Sequence, residues 1–149
     1  HITTPYLIVD NELLTALTYA AKRGVEVVLI VPAIPDKTYV YALNQTYYQE
    51  LIEAGVELRE YTPGFVHAKM FVSDDTTAVV GSINLDYRSL YLHFECAALL
   101  YGCAAVADVE RDIQETREKS RAITLEDCKR RKLIWRFLGW ILQPLAPLM

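Results

Sequence analysis

The chain has 149 residues, 52% hydrophobic and 23% charged, with a formal net charge of −4. This composition supports a buried core and excludes a disordered chain, and the length suits one domain or one half of something larger. Residues 1–102 carry 6 Lys/Arg against 12 Asp/Glu, and so acidic a body excludes broad nucleic-acid binding, which needs a basic footprint.

The opening HITTPYLIVD reads as β-structure already under way, and we expect a fragment of a longer protein. Asp10 is placed to cap a helix whose apolar positions are Leu13, Leu14, Leu17, Ala20 and Ala21, with Gly24 ending it. VEVVLIV (25–31) predicts a central strand buried on both faces. A second helix is expected from about Lys37 to Ala54, with Val40, Tyr47, Tyr48, Leu51 and Ile52 inward, followed by a VELREY strand and a Pro63-Gly64 turn. HAKMFV and TAVVGS predict a hairpin around Ser73-Asp74-Asp75-Thr76. NLDYRSLYL reads as irregular or a short helix, and FECAALLY as another buried strand. A helix from about Ala104 to Ser120 presents Val106, Val109 and Ile113, and a last element runs from near Thr124 to Leu142. Alternating strands and helices predict an α/β domain, a mixed β-sheet flanked by helices on both faces. No run is apolar for the length of a transmembrane helix. Cys96, Cys103 and Cys128 are odd in number and lack metal-ligand spacing, so free, buried thiols in a reducing compartment are expected.

The hairpin carries the chemistry. Residues two apart on a strand share a face, so His67 and Lys69 are expected to point the same way. An imidazole titrates near ~6.5 and serves as nucleophile, acid or base, while an ammonium beside it can hold a phosphate oxygen. Ser82 and Asn84, just past the second strand, offer donors for further phosphate oxygens. Glu95 is expected to accept a hydrogen bond from His67 and set its tautomer. No carboxylate cluster suggests a metal or cofactor, so a metal-free phosphohistidine route is the natural expectation.

HAKMFVSD and GSIN match HxKx4Dx6GSxN, the phospholipase D superfamily signature, at every fixed position. TPYLIVDNELLTAL, AAKRGVEVVLIVP, YYQELIEAGVELREYTPGFVHAK and NLDYRSLYLHFE resemble the C-terminal half of bacterial cardiolipin synthases. The resemblance implies a helix–sheet–helix sandwich, two such halves packed around one active site, and no cofactor. It implies phosphatidyl transfer between two phosphatidylglycerol molecules through a phosphohistidine, with release of glycerol, at the cytoplasmic side of a bacterial membrane. His67 is then catalytic, with the proton-donor role. Lys69 and Asn84 bind phosphate with Ser82, Glu95 orients His67, and Asp74, the third motif residue, holds the hairpin turn. Residues 1–122 form the catalytic half-domain and 123–149 a basic amphipathic tail. The motif occurs once, so the chain is expected to need its missing N-terminal half or a second copy.

In the tail, Lys129-Arg130-Arg131-Lys132 precedes LIWRFLGWILQPLAPLM. Leu133, Ile134, Phe137, Leu138, Ile141 and Leu142 make one apolar face, with Trp135 and Trp140 flanking it. That pattern suits a helix packed on its own domain or on the missing half, or one lying on a membrane surface through Lys129–Leu142, and the basic residues favour the membrane. The alternatives for the whole chain are a phospholipid hydrolase or homodimeric nuclease on the same chemistry, and a membrane-docking half with a vestigial site. His1 and His93 read as bystanders, and Asp75 and Asp86 as turn and cap residues.

Overall fold

The computed structural model describes residues 1–148, so Met149 of the expected tail lies outside the described residues. Two short strands, β1 (Ile2–Thr3) and β2 (Leu7–Ile8), open the chain. Asp10 caps α1 (Asn11–Lys22), accepting from the Leu13 N–H at 2.7 Å, and Gly24 leaves the helix at φ +89°. β3 (Val28–Pro32) is buried throughout but begins later than VEVVLIV suggested, because Val25 stays exposed. α2 (Thr38–Glu53) buries Val40, Tyr47, Tyr48 and Leu51, and β4 (Glu57–Tyr61) follows. The hairpin β5 (Met70–Ser73) and β6 (Thr77–Gly81) turns at Asp74 and Asp75, whose φ of +52° and +55° are left-handed values that Asp tolerates. Then come β7 (Leu85–Asp86), a π-helical turn (Arg88–Leu92), β8 (Ala97–Tyr101), α3 (Ala104–Glu118), β9 (Ser120–Ala122), α4 (Leu125–Arg130), α5 (Leu133–Leu142) and a 3-10 segment (Gln143–Leu148).

Seven strands form one sheet in the order β8-β6-β5-β1-β3-β4-β9, while β2 and β7 pair separately. β1, β3 and β4 are mutually parallel and the other pairings in the large sheet are antiparallel. Helices cover both faces, as the alternation in β3 requires. Leu29 and Val31 belong to a core with Leu43 and Leu51 of α2, whereas Val28 and Ile30 belong to a second core with Val106 and Ile113 of α3. Each such fully buried aliphatic side chain contributes about 1.5–3 kcal/mol. The expected α/β sandwich is therefore present.

Several local expectations are corrected. FECAALLY is not a buried strand: β8 is the sheet's edge, with Leu99 70% and Tyr101 78% exposed. NLDYRSLYL yields β7, paired with β2, before its helical turn. The helix expected to reach Ser120 stops at Glu118, because Ser120 enters β9 alongside Tyr61. The tail is broken into α4 and α5 rather than continuous. Thr124 and Asp127 form a reciprocal capping box that starts α4. Arg131 then turns extended (ψ 137°), and its guanidinium donates to the carbonyl oxygens of Gln45 (2.9 Å) and Ala42 (3.1 Å) on α2. The cysteines are free, but Cys96 and Cys103 are exposed and only Cys128 is partly covered.

Candidate active site

β5 runs antiparallel to β1, with Met70 opposite Thr3, so the segment leading into β5 lies beyond the carboxyl ends of β1 and β3. Open α/β sheets place their ligands at that edge. His67 and Lys69 sit in this extended lead-in, not in a strand as expected. The last hairpin bond runs from the Gly81 N–H to the Lys69 carbonyl at 3.3 Å, and the ladder ends there. The alternation still brings the two side chains together. Lys69 Nζ lies 3.0 Å from His67 Nε2 and donates to the His67 carbonyl oxygen at 2.8 Å. His67 is exposed and stacks at a tilt on Phe65, with centroids 5.6 Å apart.

Lys69 is only 8% exposed. Burial lowers the pKa of its ammonium below the ordinary lysine value, against the opposing pull of Glu95 and Asp86. A phosphate would thus meet a poorly hydrated cation, which holds an anion more strongly than a solvated one. The depressed pKa sets a sign. The neutral amine appears as pH rises through a value below 10.5, so affinity for a phosphodiester should fall on that alkaline limb earlier than for a free lysine. Lys69→Arg, whose side chain stays charged, should remove the limb; an unchanged alkaline profile of KM in that variant would sever Lys69 from the substrate.

Gly81 shows why the second half of the motif opens on glycine. A Cβ there would lie 2.3 Å from the Cys96 carbonyl oxygen and 2.5 Å from Ala97 Cα. The close approach lets Ser82 lock onto the strand beside it. Its N–H donates to the Cys96 carbonyl (3.0 Å), its Oγ accepts from the Cys96 N–H (3.0 Å), and the same hydroxyl donates to the Glu95 carboxylate. Asn84 donates through Nδ2 to Ser89 Oγ (3.1 Å), and its buried Oδ1 has no protein partner. The loop is held from below. The Leu85 N–H donates to Thr4 Oγ1 (3.3 Å), and the Ser89 N–H to Asp86 Oδ1 (2.7 Å).

His67, Lys69, Ser82, Asn84 and Glu95 therefore line one open depression of about 570 Å³. One expectation needs correction, and Asp74 is found in the turn it is expected to hold. Glu95 does not bond His67: it accepts from Ser82 and lies 3.6 Å from His93 Nδ1. The Ser82 hydrogen bond holds its carboxyl below the usual range despite some burial. Asp74 sits in the hairpin turn at the far end of β5, accepting from Ser73 Oγ at 3.2 Å, and is not brought to the depression. Two positioning groups were missed. His93, taken as a bystander, lines the depression, and its place two residues before Glu95 was the available signal. Ser89 links Asn84 to Asp86, and the Asp86-x-x-Ser89 spacing of a side-chain-capped turn marked it.

A family model described as the cardiolipin synthase, PLD-like domain matches residues 1–117. The chain belongs to that family. Relatives of this cardiolipin synthase-type domain include an uncharacterized protein of Streptococcus mutans, 48% identical over 149 residues, covering 100% of this chain and 32% of that protein. The cardiolipin synthase of Halalkalibacterium halodurans is 38% identical over 148 residues, covering 99% and 29% respectively. The chain thus spans about a third of the length of these curated relatives. Among solved structures, phosphatidylserine synthase of Haemophilus influenzae superposes with a TM-score of 0.74 at 19% identity, over 99% of this chain and 41% of that one. The phospholipase D family member Nuc of Salmonella typhimurium superposes at 0.71 with 18% identity, over 82% and 79%. These two likenesses establish the phospholipase D-like fold. No helix among the described residues is long and apolar enough to cross a membrane.

Proposed function

We propose that this chain supplies the C-terminal half of a cardiolipin synthase active site, and that the site is completed by a second half bearing its own histidine. The carrying observation is the contact between exposed His67 and buried Lys69 in an open depression that also holds Ser82 and Asn84. The motif that builds it occurs once in the chain.

In the first step, the partner histidine's imidazole nitrogen attacks the phosphorus of one phosphatidylglycerol. A P–N bond forms, the P–O bond to the glycerol headgroup breaks, and protonated His67 gives its proton to the departing oxygen. In the second step, the headgroup hydroxyl of another phosphatidylglycerol attacks that phosphorus. A P–O bond forms, the P–N bond breaks, and the hydroxyl proton passes to His67. Lys69 and the Asn84 amide stabilise the negative charge that builds on the phosphoryl oxygens. The uncovered edge at β8, with Leu99 and Tyr101 exposed, is a surface on which the second half can sit.

The test is product analysis with vesicles of phosphatidylglycerol. This chain as a proven monomer should form neither cardiolipin nor glycerol, and the longer protein containing it should form both in equal amounts. Full turnover by the monomer would overturn the half-site reading. Phosphatidic acid as the main product would replace transfer by hydrolysis, with water as the second nucleophile.

A further inference from the structure

The tail helix α5 has two apolar faces, and the fold uses only one. Trp135, Leu138, Gly139 and Leu142, at helical spacing, turn toward the body. Gly139 is the point of closest approach: a Cβ there would lie 2.6 Å from Thr46 Cγ2 and 2.8 Å from the Ala42 carbonyl oxygen. The opposite face carries Leu133, Ile134, Phe137 and Trp140, each at least 61% exposed, with Phe137 and Trp140 rings 6.3 Å apart. The single apolar face expected of this helix is thus divided: Leu138 and Leu142 pack on the body, while Leu133, Ile134 and Phe137 stay outside.

We infer that the outer face of α5 docks this domain onto an anionic lipid bilayer. Lys132 and Arg136 lie exposed at the start of α5 and within it, Lys129 and Arg130 lie exposed at the end of α4 just before it, with Arg130 paired to Glu126 at 3.3 Å, and no acidic residue follows Asp127. Aromatic and aliphatic side chains beside cations suit the boundary between acyl chains and negative headgroups. Arg131 is the exception that fixes the geometry. Its guanidinium is tied to α2 carbonyls, so α5 is held flat on the body with its outer face presented. Beyond α5 the tail meets a mixed cleft that Asp10, Asn11 and Glu12 also line. Pro147 lines this cleft with Tyr91 and Leu92, the turn that leads into His93 and Glu95, and Leu148 beside it is 80% exposed.

The test needs no turnover and is separate from the proposed chemistry. The 149-residue chain is sedimented with vesicles of phosphatidylglycerol and phosphatidylcholine in equal parts, and with phosphatidylcholine alone. Ile134→Gln with Phe137→Gln should lower the bound fraction about tenfold or more. Lys129→Gln with Arg136→Gln should weaken binding to the anionic vesicles only, as should added salt. All four side chains are exposed, so unchanged circular dichroism and melting confirm that the variants fold. Unchanged sedimentation of the apolar variant overturns the inference. So does a dimer, detected by light scattering, that this variant dissociates while vesicle binding is retained, because the face would then be covered by protein.

Discussion

Replacing His67 by asparagine should lower turnover by about 10,000-fold, the upper end of what a positioned acid–base group contributes. Asparagine is of similar size and keeps a hydrogen-bonding side chain toward Lys69 Nζ, which lies 3.0 Å from the histidine's Nε2. It cannot carry a proton between the departing and attacking oxygens. The loss should therefore fall on kcat, with KM changed little, because Lys69, Ser82 and Asn84 still bind the phosphate. The assay is made on a protein that contains both halves, with cardiolipin and glycerol measured together. Lys69→Met separates the two roles: it should raise KM as well as lower kcat, since it removes the buried cation. A His67→Asn enzyme within tenfold of the native rate would take His67 out of the chemistry.

Gly81→Ala should destabilise the fold by about 3 kcal/mol, as overpacking against a fixed neighbour does. The neighbours here are backbone atoms, the Cys96 carbonyl and Ala97 Cα, and no rotamer can move them aside. The strands β6 and β8 must part, which breaks the Ser82 N–H bond to the Cys96 carbonyl and the Cys96 N–H bond to Ser82 Oγ, and releases Glu95 from the Ser82 hydroxyl. For a chain of this size the melting temperature should fall by roughly 6–12 °C. Gly64→Ala is the control. Nothing lies within 4 Å of a Cβ built there, so its melt should be nearly native. A Gly81→Ala protein that melts with the native one would show that β8 shifts freely and that Ser82 is not held by it.

The chemistry was legible because its residues are close in sequence. His67 and Lys69 lead into one hairpin and Ser82 and Asn84 leave it, and period-two alternation with turn residues suffices to place them near one another. What escaped depends on partners far along the chain. The pairing of Leu7–Ile8 with Leu85–Asp86 spans most of the domain, and only the tertiary structure shows that Thr4 supports the Asn84 loop. Glu95 was placed in the right depression but given the wrong partner, because alternation says which face a side chain takes and not which donor reaches it first. The break at Arg131 was invisible for the same reason, since it is drawn by carbonyls of α2. An apolar run such as FECAALLY reads identically whether a helix covers it or nothing does.

That uncovered edge has a consequence for the chain in a test tube. Ala97–Tyr101 (AALLY) carries no charge and no proline, and it is hydrogen-bonded on one side only, to β6. An uncharged, apolar edge strand of this kind recruits other strands indiscriminately. At rising concentration the isolated chain should precipitate or form open-ended strings before it reaches any defined assembly. A lysine at Leu99 would act as a gatekeeper and raise its solubility. The useful range for every measurement above is therefore set by one five-residue segment that takes no part in the chemistry.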